Sequence, residues 1–185
     1  MGSPLERSSY VTATATMTLP APPQAQASFE ALYRACAADL YAYVASLLRD
    51  RTAAEDVTAQ TFERAYRKRS SFNAKRGTER AWLFGIARNA ALDELRRRKR
   101  RSALHTDPAD EGPAVEDHVE FSARRETVRA ALAALEPAER ELIALKFYAG
   151  LTNPEIAKVI GTSESNAGTR LHRAVTKLRE ACNDA

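Results

Sequence analysis

Apolar residues recur three and four positions apart through most of residues 28–181, the repeat that lines one face of a helix, and this predicts an all-α chain. Phe29, Leu32, Tyr33, Cys36, Leu40, Tyr43, Val44 and Leu47 mark the inner face of a first helix, with Ser28 placed to cap it. Arg49-Asp50-Arg51 breaks the pattern, and Thr52 and Glu55 have the spacing of a capping box. The second helix turns Val57, Thr61, Phe62, Ala65 and Tyr66 inward and Asp56, Gln60, Glu63, Arg64 and Arg67 outward. Residues 70–77 read as a loop from their Ser, Asn and Gly content. Thr78 then caps a long helix running to Arg101. Leu83, Ile86, Ala87 and Ala90 form its buried stripe, and the six cations Arg96 to Arg101 form an end that resists burial.

A second set of helices begins near Ala123. Val128, Ala131, Leu132 and Leu135 share one face, and Glu136-Pro137 starts another helix, since proline fits a first turn. Ala149-Gly150 stops that helix, and Thr152 and Glu155 form a capping box for a short one ending at Ile160. Gly161 turns the chain, and Ser163 caps a last helix from Glu164 to about Ala181. Residues 1–27 carry no periodicity and are expected to be a disordered tail. The expected division is therefore a tail (1–27), a first helical module (28–101), a linker (102–122) and a second module (123–182).

Charge sharpens this division. The net charge of +4 hides +8 over residues 28–101, −5 over 102–127 and +1 over 128–185. A buried helix that ends in six cations suits nucleic-acid phosphates, although a solvated helix end also carries such runs. Cys36 and Cys182 are the only cysteines and form no metal pattern, and His105 and His118 lie in the linker without cysteine partners. A reducing cytoplasm is the plain expectation. No apolar run is long enough to span a membrane. No Ser/His/Asp set, metal cluster or phosphate-binding loop points to an enzyme, and neither a metal nor a cofactor is expected.

The short helix, glycine turn and last helix together read as a helix-turn-helix. Ala157 is small where two helices must approach, Gly161 can take the left-handed turn, and Ala167 and Leu171 face inward. Ser165, Asn166, Thr169, Arg170 and Arg173 face outward, with side chains suited to phosphates and base edges.

Both modules resemble a specific family. The segments A-E-D-V-T-A-Q-T-F-E-R-A, then R-G-T-x-x-A-W-L-F-x-I-A-R-N-x-A-L-D-x-L-R-R-R, precede an acidic linker. After it come L-x-x-L-x-P-x-E-R-E-L-I-x-L-K-F and a terminal R-L-H-R-A-x-x-K-L-R-E. Their order and separation, over about residues 28–182, resemble a bacterial sigma factor of the extracytoplasmic-function (ECF) type, a small two-domain member of the sigma-70 family. The resemblance implies a sigma region 2 bundle and a sigma region 4 helix-turn-helix joined by a flexible acidic linker that threads the polymerase.

It also implies roles. Asp56, Gln60, Phe62 and Arg64 would contact the clamp helices of the largest subunit of core RNA polymerase. Asn73, Lys75, Arg76 and Trp82 would shape the pocket for a flipped base of the minus-ten element, Trp82 being equally readable as a core residue. Arg88, Asn89 and Asp93 would face the duplex edge, and Arg96 and Arg97 the phosphates. Ser165, Asn166, Thr169, Arg170 and Arg173 would read the minus-thirty-five element. Promoter DNA, core polymerase and an anti-sigma factor are the expected partners, in the cytoplasm and at the nucleoid. Ala59 and Gln60 depart from the usual clamp-facing pair, and Gly168 stands where a lysine is typical, removing one cation from the last helix. Two other readings are a sigma-like decoy that binds an anti-sigma protein without DNA, and a conventional helix-turn-helix repressor.

Overall fold

The computed structural model describes residues 23–104 and 122–183, with side chains described over 28–102 and 126–183. The described residues form seven α-helices and no strand. They are α1 (Pro23–Leu48), α2 (Arg51–Lys68), α3 (Glu79–Leu104), α4 (Ser122–Ala134), α5 (Pro137–Phe147), α6 (Asn153–Ile160) and α7 (Glu164–Asn183). Two short 3₁₀ turns, Arg69–Ser71 and Ala74–Arg76, fill the segment between α2 and α3 that the sequence marks as a loop. The linker histidines and residues 1–22 lie outside the described residues.

α1, α2 and α3 pack on one another around Leu40, Tyr43, Val44, Val57, Leu83, Phe84 and Ala87. Side chains of this size stabilise by roughly 1.5–3 kcal/mol each when fully buried. In the second module α7 packs on α4, α5 and α6. Leu135, Ile143 and Ala174 make a small cluster of their own there. Leu142, Leu145, Leu151 and Ile156 instead belong to one apolar cluster with the first module, because α1 packs on α5 and α3 on α6.

Local chemistry explains the element ends and corrects four expectations. α1 begins at Pro23, so Ser28 lies inside a helix and does not cap it, and residues 23–27 are helical. Asp50, not Thr52, caps α2: its carboxylate accepts from the Ala53 amide at 3.0 Å, and Glu55 pairs instead with Arg51. An ionised carboxylate makes the stronger cap, because charge-assisted bonds exceed neutral ones. Val128 is exposed, since α4 rests on α7 through Ala131 and Leu132. Arg98, third among the six cations, turns back into the protein. Elsewhere the expected caps form. Thr78 accepts from the Ala81 amide, Thr152 and Glu155 make their capping box, and Ser163 accepts from the Asn166 amide. Glu136 and Glu139 add a capping box on α5.

Candidate nucleic-acid interface

Three surfaces carry the residues the sequence nominates. The first is the loop between α2 and α3. The Asn73 side chain accepts from the Lys75 amide at 2.9 Å and so closes the turn that presents Lys75 and Arg76 to solvent. Gly77 follows at φ +151°, a conformation that other residues rarely adopt, and brings the chain into α3. Trp82, half-buried, tilts against Phe72 with ring centroids 5.6 Å apart. This segment therefore carries two exposed cations and, at its two ends, an aromatic pair.

The second surface is the outer side of α3. Asn89, Asp93, Arg96 and Arg97 are exposed. Arg96 pairs with Asp93 at 3.1 Å, and Arg97 pairs with Glu94. Arg98 reaches Glu94, Asp50 and the Leu48 carbonyl, which ties the end of α3 to the turn between α1 and α2. Arg88 does not stand free for DNA as the sequence suggests. It donates to Glu141 of α5 at 2.7 Å, with its side chain only 21% exposed. The Tyr43 hydroxyl also donates to Glu141, and burial, joined by that carboxylate, pushes the Tyr43 phenol well above its ordinary range.

The third surface is the helix-turn-helix of α6 and α7. Gly161 holds φ +73°, the left-handed turn expected of it, while Ala157, Ala167 and Leu171 are buried between the helices. Ser165, Asn166 and Thr169 are exposed on the first turns of α7, where backbone amides and the helix dipole favour phosphate. Arg173 is exposed one turn beyond the partly exposed Arg170. The Asn166 amide group donates to Thr162 Oγ1 at 2.7 Å, which ties this side chain to the turn before α7. A side chain on Gly168 would touch only Asn153, at 3.5 Å, so close packing does not demand glycine there.

On α2, Asp56, Gln60 and Arg64 are exposed, whereas Phe62 is buried against Phe29 and Tyr33. Phe62 therefore shapes that face from beneath and presents little surface of its own. The sequence pattern misses Arg80, Glu141, Glu155 and Lys158, which join the two modules. Arg80 donates to Asp39 and to the Tyr148 and Ala149 carbonyls, Thr78 donates to Glu155, and Lys158 donates to the Arg76 carbonyl. These contacts link residues 68 or more positions apart, except Asp39, and no local pattern signals them. No helix among the described residues is long and apolar enough to cross a membrane.

A helix-turn-helix beside a bundle with a cationic helix end defines, as a class, a DNA-binding transcription protein. Residues 32–101 match the family described as Sigma-70 region 2, and residues 125–178 match Sigma-70, region 4. The ECF RNA polymerase sigma factor SigL of Mycobacterium tuberculosis is 34% identical over 155 residues, covering 83% of this chain and 88% of the relative. SigK of the same organism is 30% identical over 161 residues, covering 83% and 85%. Among solved structures, the sigma factor RpoE in complex with the anti-sigma factor NepR from Bartonella quintana aligns with TM-score 0.74 at 26% identity, covering 84% of this chain and 97% of that one. CnrH in complex with the cytosolic domain of CnrY aligns with TM-score 0.63 at 28% identity, covering 87% and 94%. The chain belongs to the ECF RNA polymerase sigma factors of the sigma-70 family. It is a promoter-specificity subunit of RNA polymerase that acts in transcription initiation.

Proposed function

We propose that residues 28–101 bind core polymerase and the minus-ten element while residues 123–182 bind the minus-thirty-five element. The observation that carries this division is the pairing of two outward DNA-type surfaces on one chain: the α7 N-terminus behind Gly161, and the Lys75–Arg76 loop beside Trp82. Asp56, Gln60 and Arg64 of α2 face the polymerase clamp helices in this reading. Exposing a base costs a few kcal/mol of unstacking. The Phe72–Trp82 pair and the loop cations supply stacking and charge to offset it. The sigma factor RpoE is solved in complex with the anti-sigma factor NepR, and CnrH in complex with the cytosolic domain of CnrY; the first supports an anti-sigma protein as a regulator of this chain as well. The cytoplasm and the nucleoid are its place of action.

Run-off transcription with core polymerase tests the assignment: start sites should depend on this chain, and no promoter-dependent transcript would refute it. Binding to an anti-sigma protein with no binding to core polymerase would favour the decoy reading. Arg170→Ala and Arg173→Ala should each weaken binding to the upstream element by about 1–3 kcal/mol if the residue contacts a base. Unchanged protection of that element would remove them from the interface. Arg96→Ala with Arg97→Ala should reduce the slope of log affinity against log salt by roughly one to two units. An unchanged slope would leave both as solvated surface charges.

A further inference from the structure

One cavity is lined by none of the residues nominated for DNA or polymerase. It opens between the last turn of α1, the middle of α3 and the first turns of α5, with a volume of about 250 Å³. Leu47, Leu92, Leu95, Pro137 and Ala138 make its mostly apolar walls, and Ser46, Arg140 and Glu141 supply its polar atoms. Leu92 and Leu95 pack into neither apolar cluster of the protein. A concave apolar site with a few convergent polar groups is the usual form of a small-molecule site. The polar groups differ in what they still have to offer. Glu141 is engaged by Arg88 and Tyr43. Arg140 donates to the Leu135 carbonyl at 2.9 Å, but its Nε–H is sealed from solvent with no acceptor. Such a donor has lost water without gaining a partner, which is unfavourable until an acceptor reaches it. Burial weakens Arg140's hold on its proton, and the nearby Arg49 guanidinium weakens it further, with only Glu136 opposing. No carboxylate forms an ion pair with Arg49 or Arg140 among the described residues. Asp50 instead caps α2 and holds Arg98, and Glu139 holds Lys177.

We infer that this cavity binds a small monocarboxylic acid with an apolar body, its carboxylate on Arg140 beside Arg49 and its body against Leu92 and Leu95. A carboxylate is the acceptor that matches a guanidinium, and the bond is charge-assisted. A neutral apolar molecule would fill the walls but leave the Arg140 Nε–H without a partner. A multiply charged anion such as phosphate would lose its hydration against apolar walls and meet the Glu141 carboxylate in the lining. One negative charge on an apolar body avoids both penalties. The acid touches helices of both modules, and the inference uses no part of the promoter reading.

Octanoate titrated into the full free chain tests this, followed by calorimetry and by backbone amide NMR. It should bind saturably at one site, with the largest shifts at the end of α1, the middle of α3 and the start of α5. Octanol keeps the apolar body without the charge, and acetate keeps the charge without the body. Each should bind at least about tenfold more weakly than octanoate, the scale of one lost charge-assisted hydrogen bond. Leu92→Trp, which fills the cavity, should abolish octanoate binding while helicity stays native. Arg140→Gln keeps a donor for the Leu135 carbonyl but removes the charge. It should weaken octanoate by about tenfold and leave octanol unchanged. Octanoate that fails to saturate, or shifts centred elsewhere, would overturn the inference. Octanol as tight as octanoate would reduce the cavity to an apolar void, and inorganic phosphate as tight would reduce it to a plain cationic surface; either overturns it. If Leu92→Trp fails to fold, Arg140→Gln decides alone, and undiminished octanoate binding there overturns the site.

Discussion

Phe84→Ala is expected to lower the free energy of unfolding by about 3–5 kcal/mol. Phe84 is fully buried on α3, its ring 5.4 Å from that of Tyr43 at 64°, and the Arg80 guanidinium lies 5.3 Å from its centroid. Truncation removes the ring's transfer energy and leaves a cavity next to two side chains that reach the second module. Tyr43 and Arg80 then lose the wall that sets their directions toward Glu141 and the end of α5. A domain of this size is stable by only about 5–15 kcal/mol, so the loss is a large fraction of the total. Trp82, the single tryptophan, reports on the same helix, and its fluorescence in a urea titration gives the midpoint. Phe147→Ala is the control. That ring is 64% exposed, and its removal should change stability by no more than about 0.5 kcal/mol. Equal effects at the two sites would show that the Phe84 ring is not a keystone of the shared core.

The seven helices are legible in the sequence because each must bury one stripe, and the 3.6-residue repeat records which residues do so. The turn of the helix-turn-helix is legible for a related reason: Gly161 and the Thr152–Glu155 box act within a few residues of themselves. Asp50 shows where local reading falters. The Thr52–Glu55 spacing points to the wrong cap for α2, and the residue that does cap it, Asp50, also binds Arg98, 48 positions away. Arg88 and Phe62 show the same limit from opposite sides. A helix wheel gives the direction of a side chain, but not what waits there. Phe62 meets the rings of Phe29 and Tyr33, and Arg88 meets a carboxylate from the other module. The division into two modules follows from charge and composition. Their contact does not, because the apolar residues that meet across it, such as Leu142 and Ile156, read as the core of their own module, and the polar side chains that link it lie on faces that read as solvent-exposed.

Arg98→Ala should cost about 1.5–3 kcal/mol at neutral pH, whereas Arg100→Ala, two positions on in the same run, should change stability by no more than about 0.5 kcal/mol. Arg98 joins three groups: Glu94 at 3.0 Å, Asp50 at 2.8 Å and the Leu48 carbonyl at 3.5 Å. Glu94 is buried, so losing a partner leaves a carboxylate with less compensation for its lost hydration. Burial alone would raise the Glu94 pKa, but hydrogen bonds from Arg98 and Arg97 outweigh it and hold the carboxyl below its ordinary value of 4.5. Asp50 is likewise held below 3.8, first by the Ala53 amide and then by Arg98. A depressed carboxyl pKa stabilises the fold above the unfolded value, and that contribution disappears as pH falls through the folded one. The difference between wild type and Arg98→Ala should therefore be full at pH 7 and shrink below about pH 4, as both carboxylates protonate. Urea midpoints measured at both pH values check this. A difference independent of pH would mean that Arg98 acts by packing its aliphatic stem and not through its charge. Salt dependence separates the cations of α3 further. An arginine that binds the turn between α1 and α2 cannot also release counterions from DNA, so Arg98→Ala should leave the salt slope of promoter binding nearly unchanged while Arg96→Ala and Arg97→Ala lower it.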